Sequence, residues 1–463
     1  MKGSWVFRVV VFALFIVSCL PKNQTASDEQ RRVAGAAVES CRGPSATMDY
    51  REICGPCKDG SRVCKCLSRL VMGTDHLGNK WEQHGMPKGP GNTHWQVKKD
   101  HAKDMMDRAL RAGITMFDTA PIYSEGVENT LGEWIKQKRS IDPAFKIFVL
   151  TKGGFPYDVG PGTYSSRLRG SKKEIVTHIS DQVRWSRTNL DGQIDVYLMH
   201  RDDMEYKDYK NVTPDDQTPV RDILGALSDD TVYPDIENLG GKSLRDHYTW
   251  VGVSNWRTER VDAALDAARQ DPRLVTPMIN SPYFSLFEMA KDVTIHSGGV
   301  QVTHNEMMNP DFQKGIVLMP YSPLGGFPIL DKGTPAQLGR DAWSNSKALA
   351  QHLEENSDRY WGRVRAALFT DDNEKRFERA WAISQRMLLK NKTYTIDQWL
   401  NAYVLAHPRT DLLAIGPLYP DQLERTVGSL ELARVLRARP DILKWLHHGD
   451  LGDLAKIPPL AEL

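Results

Sequence analysis

The sequence predicts an α/β protein built as a (β/α)8 barrel, and three observations carry that expectation. Eight short apolar runs of strand length follow one another from residue 68 onward, and stretches of helical periodicity separate them. None of the runs opens into a G-x-G-x-x-G turn, the mark of a doubly wound nucleotide-binding half; Gly153-Gly154-Phe155 is too weak a glycine signal to replace it. A length of 463 residues, 40% of them hydrophobic, suffices for one large domain with appendages. Lys and Arg number 60 against 59 Asp and Glu, so the formal charge of +1 gives no reason to expect nucleic acid or an acidic partner.

At the start of the chain, Lys2 and Arg8 precede the apolar run VVVFALFIV, which ends before Ser18, Cys19 and Pro21. Residues 1–20 therefore read as a signal peptide or anchor, too short for a comfortable membrane span. Ile16-Val17-Ser18-Cys19 also matches a bacterial lipoprotein box, so cleavage, lipidation at Cys19 and an uncleaved anchor are all compatible. The expected destination is the secretory pathway, with the protein secreted or membrane-anchored, or a periplasmic lipoprotein if bacterial. Sequons at Asn23, Asn211 and Asn391 matter only on a eukaryotic route. Residues 21–65 form a linker and Cys-rich segment, polar and aperiodic to about Arg62. Cys41, Cys54, Cys57, Cys64 and Cys66 crowd into it. They are compatible with disulfides (one sulfur left over or paired between chains), with a thiolate metal site, or with free thiols. The CxC spacing is unusual for a zinc ribbon, and no metal ligand is assigned.

Residues 66–440 hold the barrel, and 441–463 a C-terminal tail. The strand runs are SRLVMGT (68–74), ITMFDTA (114–120), KIFVLTK (146–152), IDVYLMH (194–200), YTWVGVS (248–254), TPMINSP (276–282), GIVLMPY (315–321) and DLLAIGP (411–417). Most are continuous rather than alternating, as parallel strands covered on both faces require. Ala102, Met105, Met106, Ala109 and Leu110 share one helical face that Gly113 ends, and Ile175, Ile179 and Val183 recur every four residues. VENTLGEWIKQK, VRDILGALSD, RTERVDAALDAAR and DQLERTVGSLELARVL read as further helices. The long connections 201–222, 228–247 and 326–372 are the expected walls of a substrate pocket. Trp81, Trp95, Trp256, Trp343 and Trp361 are either an aromatic wall or ordinary core.

In such barrels chemistry sits at the carboxyl ends of the strands, where Asp118, Lys152, His200, Ser254, Asn255 and Tyr321 all fall. A carboxylate there is costly unless paired, and Lys152 is the available cation. A phenol, with a pKa of about 10, is a poor acid–base catalyst at neutral pH unless a neighbouring cation favours its phenolate. Tyr123, five residues past Asp118, completes a set of phenol, carboxylate, ammonium and imidazole suited to moving a proton. Singly, each residue reads as an ion pair, a core histidine or a loop aromatic; the joint occurrence after three strands points to a site.

FDTAPIYSEGVENTLGEWI, VLTKGG, RTNLDGQIDVYLMHRDD, VGVSNW and AIGPLYPDQLERTVGSLEL, in that order, strongly resemble the aldo-keto reductases, over roughly residues 66 to 436. The resemblance implies an NADP cofactor, with NAD also possible, across the carboxyl face, and a small-molecule carbonyl or alcohol as partner. It implies Tyr123 as general acid supported by Asp118, Lys152 and His200. It places Thr74 in the first-strand turn with Asp75 and His76, Ser254 and Asn255 on the carboxamide, and Tyr321 stacked on the nicotinamide. Ser281 stands where many members carry a glutamine. Ser322, Leu324 and Gly326 fall to the pyrophosphate, and Gly416, Leu418, Gln422, Arg425 and Thr426 to the adenosine. Pro417-Leu418-Tyr419 lacks the 2′-phosphate cation of many relatives, which leaves Arg425. Two other readings are a nucleotide-binding sensor or partner subunit with little turnover, similar to the potassium-channel β-subunits, and a redox or metal module centred on the cysteines. Oligomeric state is open, and membrane contact is expected only through the N-terminal segment.

Overall fold

The computed structural model of the protein describes residues 37–77, 99–123, 126–160, 163–203, 206–207, 210–211, 217–290, 299–356, 359–387, 389, 392–457 and 460. The N-terminal segment 1–20, Trp81, Trp95, Asn23 and Asn391 lie outside them. Strands β1 (Ala37–Ser40), β2 (Tyr50–Pro56) and β3 (Arg62–Ser68) form an antiparallel sheet. Next come β4 (Leu70–Gly73), helix α1 (Lys99–Arg111), β5 (Met116–Asp118), α2 (Val127–Ile141) and β6 (Phe148–Gly153). Strands β7 (Tyr157–Gly160) and β8 (Thr163–Ser165) precede α3 (Lys172–Asn189), β9 (Val196–Met199), β10 (Tyr206–Lys207), β11 (Lys210–Asn211) and α4 (Val220–Leu227). Then follow β12 (Trp250–Ser254), α5 (Thr258–Gln270), β13 (Pro277–Ser281), α6 (His304–Met308) and β14 (Val317–Leu318). Helices α7 (Pro328–Lys332), α8 (Ala342–Asn356), α9 (Arg359–Leu368), α10 (Asp371–Arg386) and α11 (Ile396–Ala406) lead to β15 (Leu413–Ile415), α12 (Pro420–Arg437) and α13 (Pro440–His448).

Eight of these strands form one parallel sheet in the order β14-β13-β12-β9-β6-β5-β4-β15. Ala414 N donates to Pro320 O at 2.9 Å and Leu412 N to Leu318 O at 3.1 Å, which carries β15 to the end of β14 and curls the sheet into the expected (β/α)8 barrel. Seven of the eight strands lie inside the predicted runs and β6 passes its run by one residue, at Gly153; every residue of β6, β9, β12 and β13 is buried, the burial that continuous apolar runs imply. Helix α3 starts where Ser171 and Glu174 close a capping box, a signal already present in the sequence SKKE.

The interior is filled by Val71, Met116, Leu150, Val196, Leu198, Trp250, Ile279, Val317 and Met319. Ile53, Val63 and Leu67 of the β2–β3 hairpin join this cluster and close the barrel floor. At Gly55 a Cβ would stand 2.9 Å from Trp250 Nε1, so glycine lets the hairpin seat closely. The site is thereby confined to the carboxyl rim.

Several expectations change here. The segment read as an aperiodic linker is folded from Ala37: β2 and β3 run seven residues each, and Ile53, Val63 and Leu67 bury an apolar face that the charged residues between them obscure in the sequence. Disulfides join Cys41 to Cys66 and Cys54 to Cys64, the latter directly opposite across β2 and β3, and Cys57 is disulfide-bonded too. No free cysteine is found among the described residues, so no sulfur there is left over for a thiolate site. Connection 228–247 is no pocket wall: Lys58, in the hairpin turn, pairs with Asp230 at 2.9 Å and Asp246 at 2.7 Å, which places the segment at the floor. An α-to-β connection enters its strand at the amino end, away from the rim. Connection 326–372 is helical over α7 to α9, its apolar spacing masked by Gly333, Pro335 and Gly339. Trp256, Trp343 and Trp361 are buried core, with Trp343 packed on Phe327 and Phe369. The stretch after Arg439 forms α13, with Ile442, Leu443, Trp445 and Leu446 buried. Among the described residues no helix is long and apolar enough to cross a membrane.

Candidate active site

Asp118 ends β5, Lys152 lies near the end of β6, and His200 follows β9, so adjacent strands bring them to one rim. Thr74 holds the end of β5 in place: its backbone N donates to Asp118 O at 2.9 Å and its hydroxyl to the same oxygen at 3.0 Å. Tyr123 is delivered by a turn in which its N donates to Ala120 O at 3.1 Å. Lys152 Nζ binds Asp118 Oδ1, donates to Tyr123 OH at 2.7 Å and to Thr119 O at 3.0 Å. Tyr123 OH lies 3.4 Å from Asp118 Oδ2, and its ring meets the His200 imidazole edge-on at 5.8 Å. The four residues far apart in the chain therefore form one cluster.

Burial sets its electrostatics. It pushes the Asp118 carboxyl up and the Lys152 ammonium down, each opposed by the partner's charge. The Tyr123 phenol is held well above its ordinary value by burial and then by the Asp118 and Asp75 carboxylates, with Arg201 acting against them. Tyr123 is a protonated phenol at neutral pH, hydrogen-bonded to a cation.

A second cluster adjoins the first. Asn255, in the left-handed region at φ 59°, donates from Nδ2 to His200 O at 3.2 Å and to Ser254 Oγ at 2.9 Å. Ser254 Oγ donates to Ser281 O at 2.9 Å, and Tyr321 OH to Asn255 Oδ1 at 2.6 Å. Ser281 thus contributes its carbonyl, where a glutamine would contribute an amide. Past Tyr321, Ser322 (φ 54°) and Gly325 and Gly326 (φ 76° and 73°) turn the backbone, with Leu324 packed on the core. An amide–hydroxyl pair beside an aromatic ring and a small-residue turn fits the nicotinamide end of a dinucleotide in its donor chemistry.

The remaining predicted residues serve the fold at least as much as a ligand. Gln422 Oε1 accepts from Leu418 N at 2.8 Å and Tyr419 N at 3.2 Å, capping α12; Leu418 is fully buried; Thr426 Oγ1 donates to Gln422 O at 2.8 Å. Arg425 is claimed by Asp397 at 2.8 Å and Asp421 at 2.7 Å, so its charge is balanced within the protein. Gly416 borders His76, whose Cδ2 a Cβ there would approach to 2.9 Å. Two residues not assigned to the site from the sequence join it here, Phe155, whose ring meets His200 at 5.3 Å, and Arg201, whose guanidinium lies 5.2 Å from the Phe155 centroid. Their position just past the ends of β6 and β9 was the available signal.

A family model described as Aldo/keto reductase family matches residues 69–437. Among curated proteins, versiconal hemiacetal acetate reductase of Aspergillus parasiticus is 23% identical over 394 residues, spanning 82% of this chain and 92% of its own length. The match takes in each strand of the barrel and the whole rim built upon it, and the chain belongs to the aldo/keto reductase family.

Proposed function

We propose that the protein is a nicotinamide-dependent carbonyl reductase in which Tyr123 is the general acid. The observation that carries this reading is the contact of Lys152 Nζ with both Tyr123 OH, at 2.7 Å, and Asp118. A bound nicotinamide dinucleotide supplies the hydride. Tyr123 gives its proton to the nascent alkoxide oxygen, and the Lys152 ammonium stabilises the phenolate left behind. Asp118 keeps Lys152 charged and aimed, and His200, whose ring lies edge-on to that of Tyr123 at 5.8 Å, donates a hydrogen bond to the substrate oxygen or shares the proton. Tyr123→Phe tests this: nucleotide binding by fluorescence quenching is retained and turnover of any accepted carbonyl is lost, whereas unchanged turnover removes the mechanism.

Ser254, Asn255 and Tyr321 hold the carboxamide and ring in this proposal. NADP is the family-based expectation, but with Arg425 balanced by two carboxylates the adenosine end supports NADH comparably, within about tenfold in Kd. Titration of the purified protein with each nucleotide measures the ratio. Residues 1–20 are proposed to route the chain to the secretory pathway, and the mass of the mature N-terminus tests that.

A further inference from the structure

Arg201 follows His200 and is buried, yet it has no part in the proton transfer described above. It donates from one terminal nitrogen to His200 O at 2.7 Å, the same carbonyl that accepts Asn255 Nδ2 at 3.2 Å. Its guanidinium plane rests on Phe155 at 5.2 Å, and Phe155 packs on the imidazole at 5.3 Å. Arg201 thus sits behind His200 at the junction between the phenol and the amide pair.

We propose that Arg201 is a positioning residue that clamps His200 and places a second positive charge on the wall beside Tyr123 and Lys152. The groups facing Tyr123 are Asp118 from β5, Asp75 after β4, Lys152 from β6, His200 and Arg201 after β9, and Tyr321 after β14. Two carboxylates oppose loss of the phenolic proton, and without Arg201 the Lys152 ammonium is left alone to counter them. Arg201 acts downward on the proton affinity of Tyr123, Lys152 and Tyr321 alike, the effect of one cation on neighbouring groups. Its consequence is a phenolate easier to reach, which favours alcohol oxidation at neutral pH and sets the alkaline limb of carbonyl reduction.

The inference rests on Tyr123 as the acid. The test is the pH dependence of kcat/KM in both directions for Arg201→Gln, which keeps a donor for His200 O but removes the charge, and for Arg201→Lys, which keeps the charge. Arg201→Gln moves the alkaline limb upward by about one pH unit and slows alcohol oxidation at pH 7 about tenfold. Arg201→Lys retains most of the wild-type profile. An unshifted limb in folded Arg201→Gln, judged by near-UV circular dichroism, overturns the proposal. If Arg201→Gln does not fold, Arg201→Lys decides: a wild-type limb supports the charge role and a displaced one refutes it. Tyr123→Phe runs alongside. Turnover retained in that variant removes the Tyr123 reading itself, whereas an inactive Tyr123→Phe with an unshifted Arg201→Gln limb removes only the role of Arg201.

Discussion

Replacing Lys152 with Met probes the pair on which the site depends. The Lys152 and Asp118 side chains are 4% and 8% exposed, so the substitution leaves a carboxylate in a nearly dry place, with Tyr123 OH, at 3.4 Å, the remaining side-chain partner of its Oδ2 among the described residues. Breaking a buried pair in this way costs about 3–5 kcal/mol. Asp118 escapes part of that cost by taking a proton, since burial already holds its carboxyl above the ordinary value and the opposing ammonium is gone. A carboxyl whose folded pKa is raised binds more protons in the folded state than in the unfolded one, so the variant is least penalised in acid and loses stability as pH rises from about 4 towards 7. The measurement is the urea midpoint of wild type, Lys152→Met and Asp118→Asn/Lys152→Met at pH 5 and pH 7. Expected are a deficit of about 3 kcal/mol or more at pH 7, a smaller one at pH 5, and recovery of about half in the double variant, which has no buried charge. A deficit under about 1 kcal/mol, or one indifferent to pH, would refute the argument that the ion pair is dry and mutually dependent.

Three further perturbations follow from the fold. His304 of α6 stacks on His447 of α13 at 4.5 Å, and His447 binds Glu288 at 2.9 Å. Burial, then His447 and His448, hold the His304 imidazole down at about 4 from 6.5, so its contribution is present above pH 6.5 and lost as pH falls towards 4. Thermal unfolding should show a loss of about 1–2 kcal/mol across that range after allowance for solvent screening, flattened in His304→Gln; an equally steep profile in the variant would count against it. Opening the Cys41–Cys66 bridge with two serines releases a loop of 25 residues and should cost about 3.5 kcal/mol by the chain-entropy estimate, read as a lower denaturant midpoint. Gly132→Ala puts a methyl into the Asn189 carbonyl where α2 meets the end of α3, and a drop of about 1–3 kcal/mol is expected in the same assay.

The tetrad was legible because every member sits at or just past the end of an apolar run, and barrel topology sends all such ends to one rim. Asp118, Lys152 and His200 need no other information to be placed together. The floor was not legible. Strands β2 and β3 set a few apolar residues, Ile53, Val63 and Leu67, among charged ones, so their alternation does not rise above turn-rich background, and their place beneath Trp250 and Met278 depends on contacts distant in sequence. Helices α8 and α9 were hidden for a related reason, since glycines and a proline punctuate the approach to them.

Local pattern alone therefore determined the barrel, the order of its strands and the side chains at the mouth, because periodicity of burial is written residue by residue. Partnership is not. That Arg425 spends its charge on Asp397 and Asp421, that Gln422 caps α12, and that Arg201 stands behind His200 on Phe155 were decided only when the chain closed. A charged side chain chooses among partners by distance and dielectric, and both are properties of the folded interior rather than of any stretch of sequence.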